Sequence, residues 1–172
     1  FGEAAGRGTI GGVLAANLSG PRRIKAGAAR DHFLGVSAVS GRGETFKSGG
    51  RVVKNVTGYD LCKLLSGSFG TLAAMTDVTI KTLPRSETDQ TIMVVDLDDE
   101  AAGGPMAAAM GSSCDVSGAA HLPAHVAGRF EGMSTGRAVT AFRIEGVKPS
   151  VKHRGDVLSG LLKQFGAVES IA

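Results

Sequence analysis

Aromatic side chains are scarce in this 172-residue chain, which has no Trp, one Tyr and seven Phe. A core therefore has to come from Val, Ile, Leu and Ala, and at this length one domain or two small ones can be built that way. The cations Arg22, Arg23, Lys25 and Arg30 form the densest basic cluster. No aromatics interleave with them, which excludes the stacking mode of single-stranded nucleic-acid binding, so no nucleic-acid partner is expected. The cluster reads either as a solvated loop or as a contact for phosphate or an acidic partner subunit. Cys62 and Cys114 stand far apart with no C-x-x-C, which leaves a disulfide framework, a zinc ribbon and a protein-bound iron–sulfur cluster without support. Reduced thiols and a cytoplasmic location are expected. No apolar run approaches the length of a bilayer span and no signal peptide is visible. His121 and His125 are four apart but interrupted by Pro123, and H-E-x-x-H is absent, so no metal site is expected. The chain opens without Met in a glycine-rich turn, which reads as a piece of a longer polypeptide.

Glycine, by contrast, is abundant, with 26 residues. Without a collagen period, such a count points to tight turns and to backbone that comes close to a ligand. Gly6, Gly8 and Gly11 satisfy G-x-G-x-x-G, and Asp31 lies 20 residues past Gly11, as in a dinucleotide-binding Rossmann unit. That unit needs a buried strand before the glycines and a second strand carrying the acid. "FGEAA" is no strand, "LSGP" ends the helix early and "GAARDHF" has no β character. The spacing is mimicry by a glycine-rich turn.

The first half reads as short elements. A helix is expected over Gly11–Asn17, with small Ala15 and Ala16, and a second over Ala28–Leu34. Val36–Ser40 and Glu44–Lys47 flank a Gly-Arg-Gly turn as a hairpin. "YDLCKLLSG" is a short helix expected to bury Leu61, Leu64 and Leu65. In "AMTDVTIKTLP", Val78, Ile80 and Thr82 alternate with polar residues, giving a strand that Pro84 ends.

The segments "GTIGGVLAANLSGPRR", "RDHFLGV", "KNVTGYD" and "GSFGTL" occur in an order that resembles the second FAD-binding subdomain of vanillyl-alcohol-oxidase-type, or PCMH-type, flavoproteins. Within that superfamily the likeness is to flavoprotein subunits of bacterial glycolate oxidases, the E type above all, and it covers roughly residues 6–84. It implies FAD as cofactor and oxidation of a small 2-hydroxy acid, glycolate to glyoxylate, with hydride transfer to flavin N5. By position, Thr9, Ile10, Gly11 and Gly12 would form the turn facing the FAD pyrophosphate, in an exposed helix start with N–H groups toward a groove. Ala15, Asn17 and Gly20 would line the ribityl and isoalloxazine wall, and the backbone of Met75 would meet the adenine end. Ala73 stands where the family usually has Gly, so its methyl would crowd the cofactor or shift the turn. Lys54 could bind a carboxylate and Tyr59 donate to the flavin edge; the plainer reading is that Tyr59 and Asp60 cap and anchor a helix while Lys54 snorkels. No catalytic residue is assigned.

The resemblance further implies a complex with a homologous flavoprotein D subunit and an iron–sulfur F subunit, located at the inner face of the bacterial plasma membrane through that complex. A non-catalytic, flavin-carrying or structural subunit is the alternative. Enolpyruvyl-glucosamine reductases also use a "GTIGG" turn, but "KNVTGYD" argues against them.

After Pro84 the texture changes. "DQTIMVVDL" is a β-run and "DDEAAGGPMAAAMG" is helix-like, with a break at Gly103-Gly104-Pro105. "CDVSGAAHLP" and "GRAVTAFRIEG" are strands, with "AHVAGRFE" a turn or short helix between them. Val151, Leu158, Leu161, Leu162 and Phe165 stripe a helix before a last strand, "AVESIA". The order β-α-β-β-α-β suggests a ferredoxin-like unit. The expected class is α+β: residues 1–84 as the second half of a PCMH-type FAD-binding domain that lacks its first subdomain, then 85–172 as a ferredoxin-like, cap-type α/β unit.

Overall fold

The computed structural model describes residues 8–52, 58–130 and 136–171. They form two compact units. One takes the described residues up to Arg23 together with Gly27–Pro84, and the other takes Ile24–Ala26 together with those from Arg85 onward.

The first unit contains helices α1 (Ile10–Ala15), α3 (Ala29–His32) and α4 (Leu61–Leu65), with the short α2 (Arg23–Ala26) at its border. Strands β1 (Phe33–Ser40), β2 (Thr45–Gly49) and β3 (Ala73–Ile80) make an antiparallel sheet in the order β2-β1-β3. Its core joins Leu14 of α1, Cys62 and Leu65 of α4, and Phe33, Val36 and Ala38 of β1. A bulge decides which β3 residues reach this core. Ser37 pairs with Asp77 and Ala38 with Met75, so Thr76 is an extra residue. Ala73, Met75 and Val78 therefore all touch the cluster although they are spaced by two and then three. Simple alternation placed Val78 and Ile80 together; Ile80, at the strand end, is exposed.

Three further expectations shift. α1 runs from Ile10 and stops at Ala15, short of Asn17, which turns left-handed at φ 49°. The second helix ends at His32, and Phe33 and Leu34 open β1 instead. In α4 it is Cys62 and Leu65, three apart on one side, that are buried, whereas Leu64 points to solvent. Gly49 ends β2 with φ +70°, and a Cβ there would lie 2.1 Å from the Leu34 carbonyl oxygen, so only glycine fits.

The second unit runs β4 (Thr88–Val95), α5 (Gly103–Met110), β5 (Gly118–Leu122), α6 (Ala124–Ala127), β6 (Val139–Gly146), α7 (Lys148–Leu162) and β7 (Val168–Ile171). All pairings are antiparallel and the sheet order is β5-β6-β4-β7. That is the order a split βαβ unit produces. The run "IMVV" is continuous because β4 is buried on both faces. Ile92 and Val94 join Phe142, Ile144 and Leu158 on one side, while Met93 and Val95 join Val139 and Ala127 on the other. Gly103-Gly104-Pro105 does not break a helix but begins one. Pro105 sits in the first turn, where a missing N–H costs nothing. The α+β class thus holds for the described residues.

Arg154 of α7 ties loops to this sheet. Its guanidinium donates to the carbonyls of Cys114 (2.9 Å) and Glu145 (2.7 Å) and to Ser150 Oγ (3.0 Å). Arg154→Met keeps the stem and removes these donors, and urea unfolding is expected to show a loss of about 2–3 kcal/mol. In the first unit, burial, reinforced by the charge of Asp60, pushes the Cys62 thiol up from its ordinary value, although its own backbone N–H acts the other way. A raised acid stabilises the fold fully below the unfolded thiol value and loses that contribution as pH rises through the folded one. Stability should therefore fall on the alkaline side, and Cys62→Ala should flatten that limb of the urea-midpoint profile.

Candidate functional site

The glycine-rich turn folds as the first turn of α1. Thr9 is its N-cap, with extended backbone, and its side-chain oxygen accepts the Gly12 N–H at 3.0 Å. The Gly12 N–H is therefore already engaged by Thr9. Helix geometry leaves the N–H groups of Ile10 and Gly11 without an intrahelical acceptor, and no acidic residue stands in this first turn. Ile10 is exposed, Gly11 half-buried and Gly12 exposed. A Cβ built on Gly11 meets nothing within 4 Å, and its φ is not in the left-handed region. Among the described residues nothing calls for glycine there, although glycine in a helix costs about 1 kcal/mol against alanine.

The other end of α1 is held by the loop after α4. Leu14 O accepts the Gly67 N–H (3.3 Å) and Ser66 Oγ (3.2 Å), and Ala15 O accepts the Phe69 N–H at 2.9 Å. Ala15 is half-buried. Asn17 follows in the left-handed region, and its Oδ1 accepts the Arg30 N–H at 3.0 Å. Gly20 is exposed, and a Cβ there would again meet nothing within 4 Å.

The remaining candidates fall differently. Met75 lies on β3 opposite Ala38, its side chain packed on the core, so only its backbone is left for a ligand. Ala73 turns its methyl into that same core, which answers the question raised by its replacing glycine. Asp60 caps α4, accepting the Lys63 N–H at 3.2 Å, as the plainer reading had it. The Tyr59 side chain is almost wholly exposed, and among the described residues only its carbonyl is engaged, accepting the Leu61 N–H (3.0 Å) and the Ser48 hydroxyl (3.5 Å). Lys54 and Asn55 lie outside the described residues. His121 hydrogen-bonds Thr140 Oγ1 (2.8 Å) and Asp99 (3.1 Å), not His125. No cluster of potential metal ligands occurs among the described residues. None of their helices is long and apolar enough to cross a membrane.

One residue escaped the sequence reading. Phe69 is 75% exposed and left-handed, at φ 54°. Its signal was an aromatic between glycines in "GSFG", which periodicity does not register. Among the described residues the site offers two N–H donors without an acceptor, at Ile10 and Gly11, together with small residues and an aromatic at its margin. Backbone N–H donors of this kind can hold an anionic oxygen.

No family model matches the chain. Over 85 residues, 49% of this chain, it is 46% identical to glycolate oxidase subunit GlcE of Escherichia coli, the match spanning 23% of that protein. Over 110 residues, 63% of this chain, it is 39% identical to a Mycobacterium tuberculosis protein named an FAD-linked oxidoreductase, spanning 24% of it. Among solved structures, alkyldihydroxyacetonephosphate synthase superposes with a TM-score of 0.68 at 16% identity, over 93% of this chain and 32% of that one. That likeness shows the fold. The resemblance to glycolate oxidase subunits and FAD-linked oxidoreductases read from the sequence is borne out. The matches span less than a quarter of the length of these two relatives.

Because the space around Gly11 is open, Gly11→Ala should stabilise the protein by about 0.5–1 kcal/mol. Urea denaturation checks it; a loss of stability would mean that the chain itself needs this glycine.

Proposed function

We propose that this chain forms one wall of the FAD site in a glycolate oxidase-type flavoprotein that oxidises a small 2-hydroxy acid, glycolate in the first instance. The carrying observation is Gly11, a helix glycine around which a Cβ would meet nothing within 4 Å among the described residues. Its N–H and that of Ile10 would donate to the pyrophosphate. Ala15, Asn17 and Gly20 would flank the ribityl and isoalloxazine groups, with the Met75 backbone at the adenine end. When bound, FAD would supply the hydride-accepting ring at N5; the protein's part is to orient it and keep water away. On this reading residues 1–84 are the second FAD-binding subdomain and 85–172 the cap-type unit. The partners would be the homologous D flavoprotein and the iron–sulfur F subunit, at the inner face of the plasma membrane.

A second reading, a flavin-carrying subunit that does not itself turn over substrate, draws on the site's composition. None of Thr9, Ile10, Gly11, Gly12, Ala15, Asn17, Gly20 and Met75 has a side chain that titrates. Flavin bleaching by glycolate in the isolated, flavin-loaded subunit separates the two.

A single wall leaves much of the cofactor ring in water. Forgoing about 200 Å² of burial at ~25 cal/mol per Å² costs about 5 kcal/mol, more than a thousandfold in affinity. After desalting, this chain should show no stoichiometric flavin absorbance, whereas a polypeptide extended N-terminally by a first FAD subdomain should be yellow. Gly11→Leu in the extended polypeptide should lose the colour while staying folded. Tight flavin in the chain alone would overturn the one-wall reading, and a colourless extended polypeptide would remove FAD binding altogether.

A further inference from the structure

Phe69 is the least economical residue in the first unit. The chain has seven Phe, and Phe33, Phe46 and Phe142 all contribute to core clusters. Phe69 is instead 75% exposed. Its backbone is also costly. Gly67 and Gly70 beside it have φ of +83° and +76°, which suits glycine, but Phe69 at +54° has a bulky side chain in a region that L residues avoid.

The surroundings over-determine this conformation. The Phe69 N–H is fixed to Ala15 O at 2.9 Å, and Gly67 and Ser66 both bond Leu14 O. Thr71 closes the loop on the Ser68 carbonyl, through its N–H at 3.0 Å and its hydroxyl at 2.7 Å. A rigid loop thus presents an aromatic ring to solvent next to Ala15, at the end of α1 opposite the free N–H groups. Leu72, three residues along the same loop, is also exposed. Strain held by this many hydrogen bonds, together with an unburied ring, is what a preorganised ligand contact looks like.

We propose that Phe69 is the aromatic contact for the planar, apolar ring system of the cofactor, with Leu72 at its margin. This rests on the FAD reading above and adds a residue to it. The occupant is the ring system and not a protein surface because the loop is bonded directly to α1, the helix whose first turn offers the phosphate donors. An aromatic ring stacked on such a system contributes buried area at little cost in side-chain freedom.

The test separates backbone strain from binding. Phe69→Gly removes the ring and also relieves the left-handed strain, so the urea midpoint of this chain should stay level or rise. In the N-terminally extended, flavin-carrying polypeptide the same change should weaken FAD retention by roughly tenfold to a hundredfold. Phe69→Ala should lose retention without the gain in stability. Phe69→Trp should keep retention and deepen the quenching of flavin fluorescence.

If Phe69→Gly holds FAD as the parent does, or unfolds the chain, the ring contact is refuted. Normal flavin retention combined with loss of a partner subunit would make Phe69 a docking residue and equally overturn it. Loss of flavin in Gly11→Leu but not in Phe69→Gly would sink this inference alone, while an extended parent without flavin would sink both.

Discussion

A helix of six residues, two of them glycine, cannot hold itself together. The first unit solves this by clamping α1 at both ends. Thr9 takes the Gly12 N–H at one end, and the loop after α4 takes the Leu14 and Ala15 carbonyls at the other. Leu14, buried in the core between them, is the packing anchor. Because the clamps supply what helix propensity does not, the middle of α1 can be small and open. The open glycines, the Ile10 and Gly11 N–H groups without an acceptor among the described residues, and the position of Phe69 all depend on that arrangement.

The same clamps explain where the unit accepts local cost. Asn17 and Phe69, both left-handed, stand at the C-terminal end of α1, where the chain leaves the helix and where the loop returns to it. Asn17 is suited to such a conformation and is further used by the Arg30 N–H. Phe69 is not suited to it. Sites that bind are where such inconsistencies are expected to gather, since local stability there is traded for geometry.

Much of the fold was legible because it follows from period and punctuation. The continuous "IMVV" run, the α7 stripe and the hairpin turn at Gly41–Gly43 each report one simple constraint. What was not legible came from tertiary detail. Thr76 enters β3 as a bulge because of its pairing with β1, and no alternation reveals that. Pro105 looked like a breaker because its place in the first turn depends on where α5 begins. In the candidate site, the ordered motifs singled out the turn at the start of α1, but capping of Gly12 by Thr9 is a three-residue geometric event. The direction of the Ala73 methyl likewise follows from the β3 register.

The central claim is that the open first turn of α1 receives an anionic cofactor end while the far end of the helix receives its ring. Amide chemical-shift mapping of this protein during FAD titration tests both at once. The predicted result is large shifts at the Ile10 and Gly11 amides, smaller ones at Gly12, whose donor Thr9 already occupies, and a second group at Ala15 and Phe69. Shifts confined to residues 85–171, or a titration to the solubility limit of FAD that leaves Ile10 and Gly11 unmoved, would contradict it.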